Sequence, residues 1–146
     1  MRVLISTLIA SLLVFSGTGY CETQEEVVIQ TLLLEARGEG LIGMQAVGEV
    51  IRNRASSKNK SYEEVVLTPF QFSCWGEPIN KVNRKLSKFT EYDWQLASKA
   101  WALSEDSRLT NGANHYLAKK SLKHLPSWAK EWLITAKLGN HTFYRL

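Results

Sequence analysis

Apolar residues first recur at helical spacing between residues 24 and 37, where Val28 and Leu32 fall on one stripe. Thr23 and Glu26 have the spacing of a capping box, in which a threonine side chain and a glutamate three residues later close the first turn. A glycine follows the last periodic position, and glycine commonly ends helices. The pattern therefore predicts a helix over residues 24–37.

Two further helices are predicted in the next part of the chain. Met44 to Arg54 has one apolar face, whereas Glu49 falls on the opposite, polar face. Ser61 and Glu64 have capping-box spacing and open a short helix that stops before a proline. We therefore expect a helix over 44–54 and a short one after residue 61.

The second half of the chain predicts one long helix and less regular segments. Thr90 to Glu105 carries apolar residues at helical spacing, and we expect it to be the central helix of the core. The pattern predicts an aromatic loop over residues 70–76 and a turn over residues 110–114. Pro126 to Trp132 is predicted to form a final short helix, and Gly139 to Tyr144 a short strand or extended segment. The predicted fold class is mainly α.

Length and charge narrow the possible functions. The chain has 146 residues, of which 45% are hydrophobic and 3 are proline, which suits one compact domain. The net charge of +4 arises from 18 basic and 14 acidic residues that form no obvious basic stripe. We therefore expect a monomer that does not bind nucleic acid.

The first residues have the three regions of a secretory signal. Met1 and Arg2 precede an apolar run over 3–15, and small or polar residues lead to Cys21. The run is shorter than the ~20 residues needed to span a bilayer, so no permanent membrane anchor is expected. We predict a signal peptide over 1–21, a catalytic domain over 22–146, and export to the periplasm, cell wall or exterior. A retained, releasable anchor and a pairing of Cys21 with Cys74 both stay open.

Glu35 is the residue that points most directly to chemistry. It lies on the apolar stripe of the first predicted helix, near the C-terminal end. Apolar surroundings and the negative end of a helix both favour the neutral form of a carboxyl, and cleavage of a glycosidic bond needs an acid that still holds its proton. The alternative is an ion pair between Glu35 and a basic neighbour such as Arg37.

Several segments together resemble the cell wall hydrolase family that includes the spore-cortex-lytic enzymes. The resemblance begins with Leu34 to Gly40, Gln45 to Val47 and Val50 to Arg54. It continues through Phe70 to Trp75, Gly112 to Tyr116 and Gly139 to Arg145, and so extends over nearly the whole mature chain.

The resemblance implies an α+β lysozyme-like domain related to soluble lytic transglycosylases, with Glu35 as catalytic acid and base. Such enzymes cut peptidoglycan glycan strands between N-acetylmuramic acid and N-acetylglucosamine and need no cofactor. A lytic transglycosylase leaves an anhydro sugar, because a hydroxyl of the muramic acid itself attacks. Peptidoglycan glycan strands are therefore the expected partner.

The number of catalytic carboxylates separates transglycosylase from ordinary hydrolase chemistry. Ordinary glycosidases place two carboxyl groups about 5 to 9.5 Å apart. Glu39 is the nearest acidic neighbour of Glu35, although a turn or helix-capping role explains it equally well, and Glu49 is better explained by a solvated helix face. We therefore favour a transglycosylase with one catalytic carboxylate.

Sugar rings offer apolar faces for stacking and hydroxyls for hydrogen bonds, so aromatic and polar side chains are the candidate substrate contacts. Phe72 is better explained by core packing, whereas the hydroxyl of Tyr116 could contact substrate or orient the acid. The predicted substrate-binding residues are Glu39, Trp75, Tyr116, Asn140 and His141.

Other kinds of protein remain open at this point. Cys74 could serve as a nucleophile with His115 or His141 as base, which would make a cell wall peptidase or amidase. A wall-binding module without catalysis is a further alternative. The histidines, including His124, are widely spaced, so no metal site is expected.

Overall fold

A computed structural model describes residues 24–118 and 124–146 of the protein. The predicted signal peptide, Cys21 and the capping residue Thr23 lie outside the described residues. Of the described part, 58% is helical, and a small antiparallel sheet lies near the C-terminal end. The predicted class, mainly α with a small β segment near the C-terminus, is therefore confirmed.

Five α-helices form most of the described structure. They are α1 (Gln24–Ala36), α2 (Gly40–Lys58), α3 (Tyr62–Leu67), α4 (Ile79–Leu86) and α5 (Glu91–Leu103). Short 3-10 segments follow α1 (Arg37–Glu39), precede α4 (Ser73–Gly76) and precede the second strand (Glu131–Leu133). The strands are β1 (His115–Ala118), β2 (Ile134–Leu138) and β3 (His141–Tyr144).

The sheet has the strand order β1-β3-β2, so the last strand along the chain lies in the middle. Both pairings are antiparallel, and Tyr116 of β1 lies opposite Phe143 of β3. All four residues of β3 are buried, whereas β1 and β2 are partly exposed. Phe143 packs with Ala46 and Val50, which attaches the sheet to α2.

The core lies mainly between α1 and α2, with α3 and α5 packed against them. Val28, Leu32, Met44 and Val47 are fully buried there. The expectation that the helix over 90–105 is the central one is wrong, since α5 buries Ala97, Ala100 and Trp101 on one side but leaves Leu103 exposed. Its other side faces solvent.

The structure corrects several predicted boundaries. Helix α2 begins at Gly40, before the predicted Met44, and continues past Arg54 to Lys58. The helix predicted over 126–132 is wrong, because residues there form turns and only the 3-10 segment Glu131–Leu133 is helical. The capping box of Ser61 and Glu64 is confirmed.

Helix α5 is fixed at its start by a carboxylate that also binds the segment after α1. Asp93 accepts hydrogen bonds from the Thr90 backbone and hydroxyl, both at 2.8 Å, and from Arg37 Nε at 2.9 Å. The guanidinium of Arg37, followed by the donors of Thr90, lowers the pKa of Asp93 from 3.8 to about 2. This contact joins α5 to the chain immediately beyond Glu35.

The prediction that Glu49 lies on a solvated helix face is wrong, because the residue is buried with only 4% exposure. Its Oε1 accepts hydrogen bonds from the Thr110 hydroxyl at 2.6 Å and the Thr110 N–H at 3.2 Å, and its Oε2 accepts one from the Ser107 hydroxyl at 2.8 Å. A buried carboxylate needs such donors to offset its lost hydration. Glu49 therefore holds the turn that leads into β1. 

No helix in the described part of the chain combines the length and the apolar character that crossing a membrane requires.

Replacing Glu49 by alanine should lower the free energy of unfolding by roughly 2 to 3 kcal/mol, because the buried N–H and hydroxyl of Thr110 would lose their charged acceptor. Urea unfolding at neutral pH measures the loss. Glu105→Ala, at an exposed position, is the control and should change little. Equal stability of the two variants would contradict the role given to Glu49.

Replacing Asp93 by asparagine should destabilise the protein in a pH-dependent way. A carboxyl whose pKa is lower in the folded state stabilises the protein above its unfolded pKa of about 3.8, and this contribution is lost as the pH falls toward 2. Urea unfolding at a series of pH values should therefore show the gap between wild type and Asp93→Asn narrowing over this range. Asp106→Asn, at an exposed site, controls for general charge effects, and a constant gap would contradict the prediction.

Candidate active site

Glu35 lies in the last turn of α1 and is half-buried. Its Oε2 accepts a hydrogen bond from the Tyr116 hydroxyl at 3.2 Å. Its Oε1 accepts one from the Cys74 backbone N–H at 3.3 Å and a longer one from the Ser73 hydroxyl at 3.5 Å. Donors from the aromatic loop and from the sheet thus hold the carboxylate from both sides.

The aromatic loop over residues 70–76 is fixed against α1 by two anchors. Phe72 is buried in the core, as the sequence predicted. Trp75 donates its indole N–H to the Thr31 hydroxyl at 3.0 Å, one turn before Glu35 on the same helix. Since Thr31 and Glu35 lie on the same helix, this contact fixes the position in which the loop presents the Cys74 N–H to Glu35.

Tyr116 reaches Glu35 from strand β1. Its ring packs edge-on against His141 at a centroid distance of 5.1 Å and lies 5.9 Å from Phe143. Burial, and then the nearby Glu35 carboxylate, raise the pKa of Tyr116 well above 10. Its hydroxyl therefore keeps its proton and acts as a donor to Glu35.

Arg37 does not neutralise Glu35, which was the alternative weighed from the sequence. Its Nε donates to Asp93 at 2.9 Å instead. Glu35 is therefore held by neutral donors, and its carboxylate faces open space rather than a paired cation.

That open space is a cleft of about 610 Å³. Its lining includes three residues singled out from the sequence, Glu35, Tyr116 and His141, together with His115 from the alternative mechanism. The rest of the lining is Arg54, Phe70, Gln71, Ser73, Leu117, Ala118 and Trp128. Among the described residues that line it, Glu35 is the only one that carries a carboxylate.

Glu39 and Asn140 lie outside that lining and bind each other. The Asn140 N–H donates to Glu39 Oε2 at 3.0 Å, and its side-chain amide donates to Oε1 at 2.8 Å. Gly139 has φ +53°, and a Cβ there would collide with Glu39 Oε2. The Glu39 carboxylate thus fixes the β2–β3 turn directly before His141. Trp75 is also absent from the lining of the Glu35 cleft and lines a neighbouring cleft.

The two histidines of the cleft are both shifted toward the neutral form. Burial, followed by Arg54 and Lys58, lowers the pKa of His115 from 6.5 to about 4. Burial also lowers the pKa of His141, although Glu39 and Glu35 oppose that shift. At neutral pH these rings therefore offer one donor and one acceptor each, without added charge.

Cys74 is buried and is a free thiol. Burial is the main cause that raises its pKa far above 9, and the Glu35 carboxylate adds to it. Among the described hydrogen bonds, none joins Cys74 to His115 or His141. Its observed contact with the site is made by its backbone N–H.

Arg54 is a lining residue that our sequence reasoning did not single out, although it belongs to the segment Val50 to Arg54 that carries the family resemblance. It is buried with 6% exposure, and its Nε donates to the Asn114 carbonyl at 2.5 Å. Its position on the buried face of α2 could have signalled a site residue, because an arginine is rarely buried without a partner or a role.

Within residues 24–118 and 124–146, no group of three or more His, Cys, Asp or Glu side chains is arranged to hold a metal ion.

Comparison with known proteins gives one match. A sequence model of the cell wall hydrolase family matches residues 38–144, a segment that begins three residues after Glu35 and contains α2 to β3. Searches among curated proteins and among solved structures found no match. Because the matched segment is more than half of the chain, the chain belongs to the cell wall hydrolase family, which indicates an enzyme that acts on the cell wall.

Proposed function

We propose that this protein cleaves the glycan strand of peptidoglycan between N-acetylmuramic acid and N-acetylglucosamine, as a lytic transglycosylase with Glu35 as general acid and base. One observation carries the proposal: among the described residues that line the cleft only Glu35 has a carboxylate, and that carboxylate is held on both oxygens by neutral donors. The family match supports the coarser part, action on the cell wall.

The geometry suits Glu35 to the first proton transfer. Each carboxyl oxygen has two lone pairs, so an oxygen that accepts one hydrogen bond keeps a position for a proton. Tyr116 and the Cys74 N–H fix the plane of the group, which leaves the acid little freedom to turn away from a sugar in the cleft. Positioning of this kind is a large part of general acid catalysis.

The proposed reaction needs no second carboxylate. Glu35 gives its proton to the bridging oxygen, which leaves with the N-acetylglucosamine as the bond to the muramic acid breaks. A hydroxyl of the same muramic acid bonds to the carbon left behind, and its proton passes to the Glu35 carboxylate. The products are an anhydro-muramic end and a free N-acetylglucosamine hydroxyl, and Glu35 is protonated again.

The other acidic candidates support this reading, because both are engaged elsewhere. Glu39 accepts hydrogen bonds from Asn140 on both oxygens, and Glu49 is buried against Thr110 and Ser107. Outside the described part, residues 119–123 contain no Asp or Glu, and residues 1–23 contain one acidic residue, Glu22. A hydrolase with the usual pair of carboxylates would need a second one facing Glu35 across the cleft.

The remaining lining suits a saccharide. Tyr116 and Trp128 offer aromatic surface for the apolar faces of sugar rings, while Gln71 and His141 offer polar groups for hydroxyl and acetamido groups. We propose Tyr116 and His141 as direct substrate contacts. Glu39 and Asn140 would then act by positioning His141, and Trp75 would contact a more distant part of the strand.

The cysteine alternative has less physical support. The thiolate, not the thiol, is the nucleophile, and both burial and Glu35 disfavour the thiolate of Cys74. Activation by a histidine would require contact with His115 or His141, whose described partners are elsewhere.

Replacing Glu35 by glutamine should reduce glycan cleavage by about 10² to 10⁴-fold, the contribution expected of a general acid, while the fold is retained. The measurement is release of fragments from purified peptidoglycan, followed by mass determination. The exposed Glu25 lies on the same helix, so Glu25→Gln is the matched control and should be fully active.

The fragment masses test the type of reaction, independently of whether Glu35 is the catalytic residue. Anhydro-muramic ends are expected from the wild type. Reducing ends would replace the transglycosylase by a hydrolase, freed peptides would indicate an amidase or peptidase, and absence of fragments would indicate a binding module. An active Glu35→Gln variant would remove Glu35 from its proposed role.

Replacing Cys74 by alanine should leave glycan cleavage within a few-fold of the wild type, because the hydrogen bond to Glu35 comes from the backbone N–H, which alanine keeps. Initial rates on peptidoglycan, with circular dichroism to verify folding, measure the effect. A folded Cys74→Ala protein without activity would instead support the cysteine mechanism.

A further inference from the structure

Phe70 stands apart from the other aromatic residues of the loop. Its side chain is fully exposed, whereas Phe72, two residues later, is buried. Its backbone has φ +64°, in the left-handed region that residues with a Cβ rarely adopt. Phe70 therefore combines an unfavourable backbone conformation with a ring that contributes nothing to the packing of the core.

Neither feature is explained by stability. An exposed position is satisfied by any polar residue, and a left-handed position favours glycine or asparagine. Backbone outliers that the surrounding structure maintains are concentrated at sites of function. The position of Phe70 is therefore better explained by a role in binding.

The ring lies where two clefts meet. Phe70 and Ser73 line both the cleft that contains Glu35 and a second cleft of about 620 Å³. The second cleft also has Trp75, Leu67 and Pro69 in its lining, and so is largely apolar. The two clefts therefore adjoin at Phe70 and Ser73, and an extended molecule bound beside Glu35 could reach the second cleft past Phe70.

We propose that the glycan strand follows this path, with one sugar ring stacked on Phe70 and the next sugars in the cleft beside Trp75. This rests on the proposed function, and it deepens it by assigning the strand a course beyond the cleft that contains Glu35. The apolar face of a pyranose matches a flat, exposed aromatic ring.

The lining of the second cleft favours the glycan over the stem peptides as its occupant. The charged residue in that lining is Glu77, and it forms ion pairs with Lys81 at 3.1 Å and Lys85 at 2.6 Å. Neither lysine is among the lining residues. The cleft therefore offers apolar and aromatic surface for sugar rings, and its described lining has no basic side chain to bind the carboxylates of a stem peptide.

The test measures glycan binding in a Glu35→Gln background, which prevents cleavage of the ligand during the measurement. The ligands are peptide-free glycan strands of two lengths, a disaccharide and a hexasaccharide, and calorimetry gives each Kd. Phe70→Ala should weaken hexasaccharide binding roughly tenfold, the size expected for one stacked ring, and leave disaccharide binding unchanged. Phe70→Trp should restore hexasaccharide binding.

Two further variants separate binding from folding. Trp132 is also strongly exposed and lies outside the lining of both clefts, so Trp132→Ala is the matched control and should bind both ligands normally. Phe70→Gly should raise Tm, because glycine tolerates the left-handed backbone, and still lose the hexasaccharide preference. The Tm of this variant would then rise while its affinity for the hexasaccharide falls.

The outcomes distinguish this inference from the proposed function. If the background variant prefers the hexasaccharide and Phe70→Ala keeps that preference, the path across Phe70 is wrong while glycan recognition stands. If no variant binds either glycan, both proposals fail. A uniform loss for the two ligand lengths in Phe70→Ala would also overturn the path, since it would place the ring beside Glu35 rather than beyond it.

Discussion

The arrangement of the site depends on one shared acceptor, the carboxylate of Glu35. It lies at the end of α1 and receives a donor from the sheet, the Tyr116 hydroxyl, and a donor from the aromatic loop, the Cys74 N–H. Three separate parts of the chain thus meet on two oxygen atoms. Each of these hydrogen bonds joins two elements that are distant in sequence, so this meeting point also helps to define how the sheet and the loop are positioned against the helices.

A second carboxylate performs the corresponding task one turn further along. Glu39 binds both the backbone and the side chain of Asn140, and the absence of a side chain at Gly139 lets it approach. His141 follows directly and packs against the ring of Tyr116. Glu35 and Glu39 therefore have different roles. Glu35 faces the cleft, and Glu39 fixes the start of β3, which packs against Tyr116, the donor to Glu35.

Features that depend on a local sequence pattern could be predicted, whereas features that depend on contacts with residues distant in the chain could not. Glu35 could be found because the apolar stripe of α1 is visible in the sequence. Helix α4 was missed because it buries only Val82, and β1 and β2 because short, partly exposed strands leave little alternation to read. Glu49 was placed in solvent because its partners, Thr110 and Ser107, lie about 60 residues away and close over it only in the fold.

The strand order of the sheet also affects the order in which the protein can fold as it is synthesised. Within the described sheet, β1 pairs with β3 and not with β2, although β2 comes before β3 along the chain. During synthesis, β1 therefore has no neighbour until almost the whole domain has been made, and contacts so distant in sequence form slowly. Tyr116 cannot take its place opposite Glu35 before then. The cleft beside Glu35 is thus completed last, after the helices that carry this carboxylate.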